Sequence, residues 1–448
     1  MRRKKIIQGW KVAVPYSLFL SLVPLSLFSI SFLPFKGYRP REDLQHKIVS
    51  PPYNFLTPQE ASTLAEKNPL SFLHVSSPEV DLPPTTRTTP SVAGELGHNA
   101  LQEYIAQGFL VQDQSPSFYL YRQKKVGLCS LGIIGLISVK HYEDNMIKRH
   151  ENTIPEKEGD LTTFINAQEA ETDPVVLTYR SKKKISEILH LYSQQVPDQS
   201  IALDDGSSHE IWVINSAEDI QIITNIFANL KSVYIADGHH RSAAANNLYK
   251  KYQALFPTRE DRPHNYYLAA LFPDKQIALG GYNRIIRTLN GLSEKKFLSL
   301  LRSYFSLREV ESHKKATPKD HRSFGMYLRG KWYILRVKRI SAKLPQKRFP
   351  LNQLDSTILN ETIIKPILGI ESLNDVKNIQ CIGGSLGLKA LEDKCIKMKW
   401  DIAFAVFPVT TQTFIDIVDQ GFLMPAKTTW FEPKIWQGLI VRTFNVSK

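Results

Sequence analysis

The sequence has little cysteine and no internal repeat or low-complexity block. Its 448 residues include three cysteines, Cys129, Cys381 and Cys395. The spacing of the last two matches no Cys-x-x-Cys zinc or redox pattern. Three cysteines cannot all pair within one chain, so a reducing compartment, the cytoplasm, is the simplest setting. These absences argue against a disulfide scaffold, a zinc ribbon and a solenoid.

The sequence also lacks a long tail of one charge. Its net charge is +14, from 57 basic and 43 acidic residues. Five of the basic residues lie within the first eleven positions, and most of the others are scattered. This excess favours anionic partners such as phosphorylated small molecules, although a solvated basic surface would explain it equally well. Nucleic acid is not expected, because no helix-turn-helix or aromatic-studded basic stripe is recognisable.

A long apolar run occurs once, over residues 12–35, after the basic residues Arg2–Lys5. It is long enough to cross a bilayer. Pro15, Pro24 and five serines weaken such a helix, and no small-residue cleavage site follows. Three interpretations stay open for residues 1–33: an anchor or uncleaved signal, a degraded targeting segment, or a mis-assigned start. Membrane contact is expected only if residues 12–35 are a real anchor.

The central part of the chain alternates strand and helix signals. Short apolar runs typical of buried strands occupy 174–179, 210–215, 232–236 and 266–272. Between the second and third of these runs, Ser216 is a helix N-cap candidate. The predicted fold is therefore α/β (α+β), with a mixed sheet and helices.

The flanking regions carry weaker signals. Residues 74–92, with four prolines, predict an extended loop, followed by a helix that begins at Asn99. A β-hairpin is predicted around Arg329–Gly330. We divide the chain near residue 290, into a first domain over 34–290 and a C-terminal α/β domain over 291–448.

Residues 232–247, SVYIADGHHRSAAANN, join a predicted strand to a predicted helix. The first turn of a helix has backbone N–H groups without intrahelical partners, at the positive end of its dipole. Glycine admits a ligand close to the backbone, and arginine offers a planar fork of donors to phosphate. This joint therefore predicts a phosphate-binding site. Its members are Gly238, His239, His240, Arg241 and Ser242.

Asp237 does not fit a simple phosphate site, because a carboxylate repels phosphate. It would fit as a ligand of a metal ion, or as an acceptor of a hydroxyl proton. The alternative is structural: Asp237 caps the helix, Arg241 pairs with Asp237, and the histidines pack. Zinc is disfavoured, because neighbouring histidines tend to point apart and no His-Glu-x-x-His spacing occurs.

A second polar cluster lies in IKRHENTIPEKEGD, residues 147–160. A carboxylate beside an imidazole is a workable general-base pair. His150 and Glu151, with Asp237, are therefore the catalytic candidates, and Arg149 and Thr153 are substrate-binding candidates. A solvated, charged loop would give the same pattern.

Two proline-stiffened stretches look over-specified for simple connections. IVSPPYNFL (48–56) presents Tyr53 and Asn54, and MPAKTTWFEPK (424–434) presents Lys427, Thr428 and Thr429. A stiff loop that presents lysine and threonine suits a phosphate or a substrate carboxylate. A packed turn is the alternative for each stretch.

Seven stretches together resemble the landmarks of a bacterial and archaeal family, that of domain of unknown function 1015. They are PFKGYRP, SPPYNFL, NPLSFLHV, IKRHENTIPEKEGDL, IADGHHRSAAA, MPAKTTWFEPK and GLIV. The resemblance runs in order from about Pro34 to Val441. The DGHHR joint is similar to the phosphate-binding motif of the ParB and sulfiredoxin-like fold group, which includes free-serine kinases and nucleotide-hydrolysing DNA-segregation proteins.

The resemblance implies a ParB/sulfiredoxin-like, nucleotide-binding domain over 34–290 and roles for several residues. Residues 238–241 would hold the phosphates of ATP or ADP, Asp237 would orient Mg²⁺ or a hydroxyl, and Glu151 would be the base. The chain departs from the family pattern at Asn54, where an aspartate is expected. It departs again at Asn283, where the family tends to have histidine before the arginine that is Arg284 here. Arg284 is a further substrate-binding candidate.

The expected function is a nucleotide-dependent phosphotransferase for a small hydroxylated metabolite, with free serine as the candidate acceptor. Two alternatives come from other classes. One is a nucleotide-binding or nucleotide-hydrolysing ParB-like switch or binding protein. The other is a metal-assisted hydrolase that uses the histidine pair.

Overall fold

The computed structural model describes residues 29–52, 56–83, 85–338 and 350–444. Its strands are β1 (Phe32–Leu33), β2 (Tyr38–Pro40), β3 (Leu110–Gln112), β4 (Phe118–Lys125), β5 (Leu128–Ser138), β6 (Ile147–Lys148), β7 (Ala170–Glu171), β8 (Val175–Tyr179), β9 (Gln199–Ala202), β10 (Ser208–Ile214), β11 (Val233–Asp237), β12 (Tyr266–Pro273), β13 (Ala278–Ile286), β14 (Phe305–Val310), β15 (Ser323–Leu328), β16 (Lys331–Val337), β17 (Ile379–Gly383), β18 (Ile402–Val406), β19 (Thr429–Glu432) and β20 (Arg442–Thr443).

The helices are α1 (Gln45–Ile48), α2 (Pro58–Lys67), α3 (Leu73–Ser76), α4 (Pro90–Ala106), α5 (Lys140–Glu143), α6 (Pro155–Gln168), α7 (Lys183–Ser193), α8 (Ala217–Ala228), α9 (His239–Leu255), α10 (Glu294–Leu301), α11 (His313–Ala316), α12 (Asp355–Leu359), α13 (Gly387–Met398) and α14 (Thr411–Asp419). Ser216 is the N-cap of α8, as predicted, and its side chain accepts from the Asp219 N–H.

The first sheet is mixed. Its order is β6-β11-β8-β12-β5-β4-β10-β9, with β1 paired to β5. The β6–β11 and β8–β12 pairs are parallel, and the other pairs are antiparallel. The prediction of a mixed sheet with helices in an α/β protein is confirmed.

Both faces of the first sheet are buried, and its strands distribute side chains to the two faces in alternation. On β4, Phe118 and Leu120 join one core with α7 and α8, whereas Tyr119 and Tyr121 join a second core. The second core includes side chains of α14 and of the segment that follows it, such as Phe431. The C-terminal part of the chain therefore packs directly on the first sheet.

The second sheet is antiparallel, in the order β14-β16-β15-β18-β13-β17, with β19 also paired to β13. The predicted hairpin is confirmed as β15–β16, with Arg329 and Gly330 in the left-handed region at φ 44° and 93°. The chain passes from the first sheet to the second between Pro273 and Ala278. The domain division near residue 290 stays a prediction.

The described end of the apolar N-terminal run belongs to the folded core. Ile30 and Phe32 are fully buried, and β1 pairs with β5. Among the described residues, no helix combines the length and the apolar character needed to cross a bilayer. The rest of the run, up to residue 28, lies outside the described residues.

The expectation of a loop over 74–92 and a helix starting at Asn99 is wrong. Helix α4 begins at Pro90, after Thr89, whose side chain caps it by accepting from the Val92 N–H. Gly94 and Gly97 lower the helical signal of the first half of α4. They are needed for packing, because a Cβ at Gly94 would lie 2.6 Å from the Phe164 carbonyl oxygen of α6. Close helix–helix contact overrides intrinsic propensity here.

Candidate functional site

A cavity of about 870 Å³ opens beside the joint between β11 and α9. This volume is in the range of small-molecule and cofactor sites. Its walls include residues near the start of α4, the loop and helix over 151–168, the segment 170–176, the β11–α9 joint and the C-terminal segment. The lining includes Thr89, Pro90, Glu151, Asn152, Lys157, Phe164, Asp173, Asp237, Gly238, His239, His240, Arg241, Tyr282, Lys427, Lys434 and Gln437.

Helix α9 presents an open N-terminus to this cavity. Gly238 is the N-cap at φ 97°, a conformation that glycine adopts without strain, and a Cβ there would lie 3.1 Å from the Arg241 guanidinium. The first intrahelical bond runs from the Ser242 N–H to the Gly238 oxygen at 2.9 Å. The N–H groups of His239 and His240 therefore have no intrahelical acceptor. Within the described chain, no side chain caps this helix, so the joint retains the donors that an anion needs.

The two histidines of the joint hold the neighbouring loop. His239 Nε2 accepts from the His150 N–H at 3.4 Å, and His240 Nε2 accepts from the Ile154 N–H at 3.1 Å. Burial lowers the pKa of both imidazoles, which keeps them neutral. In that form the proton is on Nδ1, which leaves one donor on each ring. The histidine pair thus fixes both ends of the segment that carries Glu151.

Glu151 lines the cavity in a half-buried position. Burial raises the pKa of its carboxyl group, Lys427 opposes the shift, and Asp237 adds to it. A raised pKa makes a carboxylate a better proton acceptor near neutral pH. The place of Glu151 in the cavity wall and its raised pKa agree with the candidate role, and its assignment as the general base stays a prediction.

Asp237 lies in a compensated cluster of charges. Its Oδ2 is 3.1 Å from Lys434 Nζ and 3.7 Å from Arg241 Nη2. Burial would raise the pKa of Asp237, but Lys434 and Arg241 outweigh it and lower the value to about 2. Asp237 is therefore ionised, and its charge is already neutralised by protein cations.

Arg241 has several protein partners. Its Nη1 lies 2.7 Å from the Asp173 carboxylate and donates to the carbonyl oxygens of Asp173 and Pro174 at 2.9 and 2.6 Å. These contacts tie the start of α9 to the segment before β8. A phosphate contact of Arg241 stays a prediction, and the side chain must meet it from this anchored position.

A metal site made by protein ligands alone does not fit here. The described residues contain no group of three or more histidine, cysteine, aspartate or glutamate side chains placed to hold a metal ion. Magnesium bound through nucleotide phosphates requires only one or two protein carboxylates. Lys434 and Arg241 both contact Oδ2 of Asp237, so a metal ion would meet this carboxylate through Oδ1 or in competition with these cations. The metal role of Asp237 stays a prediction.

His150 and the two threonines are packed between the first sheet and the C-terminal segment. His150 is 3% exposed, and its Nδ1–H donates to the Ile235 oxygen at 2.8 Å. Its Nε2 lies 3.2 Å from Thr429 Oγ1. Thr428 Oγ1 donates to the Pro425 oxygen at 2.6 Å. None of the three lines the cavity, so direct catalytic or substrate-binding roles for them stay predictions.

The remaining predicted residues either do not line the cavity or lie outside the described chain. Arg149 is exposed and stacks on Tyr142, whereas Thr153, Ser242 and Arg284 are not among the lining residues. Arg284 is fully buried, and its Nη2 donates to the Lys427 oxygen at 2.8 Å. It therefore fixes the turn that carries Lys427. Tyr53 and Asn54 lie outside the described residues.

Asp173, Tyr282 and Lys434 are among the lining residues that the sequence analysis missed. Asp173 stands alone before a strand, and Tyr282 precedes the departure at Asn283, so neither carried a motif signal. Lys434 ends the stretch MPAKTTWFEPK, in which the Lys-Thr-Thr run carries the stronger sequence signal. Only the contact of Lys434 with Asp237, 197 positions away in the sequence, reveals its place in the site.

The chain belongs to the family described as protein of unknown function (DUF1015), whose model matches residues 32–357. This match confirms the family resemblance. It ends before Lys427 and Lys434, so the C-terminal wall of the cavity lies beyond the matched residues. No curated protein matches the chain.

Solved structures with some likeness include three proteins. A conserved hypothetical protein from Pyrococcus furiosus has a TM-score of 0.34 and 12% identity, over 67% of this chain and 90% of its own. A free serine kinase in complex with AMP has a TM-score of 0.33 and 13% identity, over 67% and 87%. SbnI with a C-terminal truncation, from Staphylococcus aureus, has a TM-score of 0.32 and 12% identity, over 67% and 82%. Superpositions this loose carry no argument about the site.

Proposed function

We propose that this protein is a nucleotide-dependent phosphotransferase that phosphorylates a small hydroxylated metabolite. One observation carries the proposal: the uncapped N-terminus of α9 and a carboxylate with a raised pKa, Glu151, line the same cavity. The first feature suits phosphate oxygens, and the second suits removal of a hydroxyl proton. Phosphoryl transfer needs both within one site.

The phosphate-binding side of the site is the start of α9. The backbone N–H groups of His239 and His240 and the positive end of a 17-residue helix attract anionic oxygens. Lys427 adds a cation on the cavity wall, where its Nζ lies 5.3 Å from the centroid of the Tyr282 ring. ATP or ADP supplies the transferred phosphoryl group, and Mg²⁺ would enter with it as part of the substrate.

The chemical step uses Glu151 as the base. The acceptor hydroxyl oxygen attacks the terminal phosphorus of the nucleotide, and its proton passes to the Glu151 carboxylate. A phosphorus–oxygen bond forms to the acceptor, and the bond to the leaving nucleotide phosphate breaks. The open helix N-terminus stabilises negative charge on the transferred group.

Free serine is the acceptor we propose, in the cytoplasm. This choice of acceptor is based on the similarity of the DGHHR joint to that of free-serine kinases, together with a cavity large enough for a nucleotide and a small acceptor.

The test is an assay of the full chain with ATP or ADP, Mg²⁺ and a pool of amino acids, followed by mass spectrometry of the products. We expect nucleotide consumption that requires an acceptor and yields a phosphorylated hydroxyl compound. Nucleotide loss without any acceptor would favour the switch instead. Absence of both nucleotide binding and turnover would remove the proposal.

A further inference from the structure

Lys434 is a buried cation in the cavity wall, beside Asp237. The residue is 7% exposed, and its Nζ lies 3.1 Å from Asp237 Oδ2 and 4.6 Å from the centroid of the Trp430 ring. Its backbone is held as well, because its carbonyl oxygen accepts from Gln123 Nε2 at 3.2 Å. Lys434 is thus a fixed part of the cavity wall.

The ammonium group has a donor to spare. A lysine carries three N–H donors and no acceptor. Asp237 accepts one of them, and the face of the Trp430 ring attracts another. Within the described part of the chain, Lys434 Nζ makes no further hydrogen bond or ion pair, although its charge also opposes the rise that burial causes in the pKa of Asp173. Because Lys434 lines the cavity, its ammonium group can offer this unused N–H donor to a ligand bound there.

The charge balance shows why a donor at this point matters. Asp237 lies next to the open N-terminus of α9, where its negative charge would repel an incoming phosphate. Arg241 is 3.7 Å from Asp237 and is also engaged with Asp173, so it compensates Asp237 only in part. Lys434 supplies the remaining positive charge from the C-terminal segment.

We propose that Lys434 is an anion-binding residue of this cavity, which neutralises Asp237 and donates its unused N–H to a phosphate oxygen of the nucleotide. The proposal rests on the proposed function and assigns part of the nucleotide site to the C-terminal segment. The family match ends at residue 357, so this contact lies outside the matched region.

The test measures binding of ADP and ATP to the full chain by titration calorimetry. Lys434→Met should weaken binding about 10- to 100-fold, the usual range for a lost charge-assisted hydrogen bond. Lys434→Arg should keep most of the affinity. Lys275→Met, at an exposed lysine outside the cavity, removes the same net charge and should leave binding unchanged.

The same substitution in an Asp237→Asn chain distinguishes a direct contact between Lys434 and the nucleotide from neutralisation of Asp237. If Lys434 touches the nucleotide, Lys434→Met weakens binding in an Asp237→Asn chain by a similar factor. If it acts only through Asp237, the loss disappears there and the proposal is overturned. This comparison also holds if Lys434→Met alone fails to fold, because the double variant leaves no unpaired carboxylate.

The outcomes also distinguish this proposal from the proposed function. Wild-type protein that binds neither ADP nor ATP contradicts the proposed function itself. Wild-type protein that binds nucleotide, with Lys434→Met unchanged in affinity, overturns only the role of Lys434.

Discussion

Two walls of the cavity meet at the contact between Asp237 and Lys434, and they are built differently. The helix wall, Glu151, Asn152 and residues 237–241, is formed by a strand-to-helix joint and by the loop that its histidines hold. The C-terminal wall, residues 427–437, is formed by a segment that pairs with β13 and packs on the first sheet. The helix wall carries the candidate base, whereas the C-terminal wall contributes Lys427 and Lys434. The candidate base and the lysines that compensate negative charge therefore lie on different walls.

The largest expected effect tests the helix wall. Glu151→Gln removes the base but keeps the shape and polarity of the side chain. We expect turnover to fall by about 10²- to 10⁴-fold, as for loss of a general base, with nucleotide affinity nearly unchanged. Rates and calorimetric affinities measured on the same preparation check this. A parallel loss of nucleotide affinity would show that Glu151 also contributes to binding, which contradicts a role confined to proton removal.

Arg241→Ala should damage stability as well as binding. The substitution leaves Asp173 without its closest cation and removes donors from two carbonyl oxygens. The Arg241–Asp173 pair is partly buried, so we expect a loss of unfolding free energy no larger than about 3 kcal/mol, the lower end of the range for breaking a buried pair. Denaturant titration measures the loss, and Asp173→Asn in the same chain should recover part of it. Unchanged stability would contradict the anchoring role of Arg241.

The histidine pair offers a sharper test of the helix wall. His240→Phe keeps a ring but removes the acceptor for the Ile154 N–H, whereas His240→Gln can place an oxygen near the same point. We expect kcat to fall about 10-fold or more in the phenylalanine variant, because a misplaced base loses rate steeply. The glutamine variant should recover much of kcat. Equal losses in the two variants, or a change confined to KM, would contradict a positioning role.

Lys427→Met tests, through the pH dependence of kcat, whether the two walls are electrostatically coupled. Glu151 must be ionised to accept a proton, so activity is lost as pH falls through its pKa. Lys427 lowers that pKa against the effect of burial, and its removal should therefore move the acid limb of the kcat profile to higher pH. Rates measured from about pH 4 to 8 check the sign. A shift to lower pH would contradict coupling between Lys427 and Glu151.

Thr429→Val should have the smallest effect. It removes the hydroxyl beside His150 Nε2, and a buried hydrogen bond of this kind contributes about 1 kcal/mol to stability. Denaturant titration should show that loss, with KM for the acceptor unchanged. A raised KM would instead restore Thr429 as a substrate-binding residue.

Local signals predicted the four central strands, the helix after Ser216, the Arg329–Gly330 hairpin and the central joint. Ser216, Gly238 and the Arg329–Gly330 turn act on residues within a few positions of themselves, so their effects are visible in short windows of sequence. The start of α4 could not be found in this way, because Gly94 and Gly97 gain their stabilisation from contact with α6 rather than from helix propensity.

The roles of single polar residues were less accessible. His150 and Glu151 are adjacent in the sequence, yet one is packed under Phe414 and Phe431 and the other lines the cavity. Residue type alone does not distinguish these environments. The direction in which each side chain leaves the loop does.

The sequence by itself determined the alternation of strands and helices, the glycine at the β11–α9 joint and the open helix N-terminus, because these depend on neighbouring residues. Tertiary structure alone decided which charges meet at that joint. Asp173, Asp237, Arg241 and Lys434 come together through the pairing of β11 with β8 and the return of the C-terminal segment. The energy of a charge depends on its distance from other charges and on its burial, and only the folded chain sets either quantity.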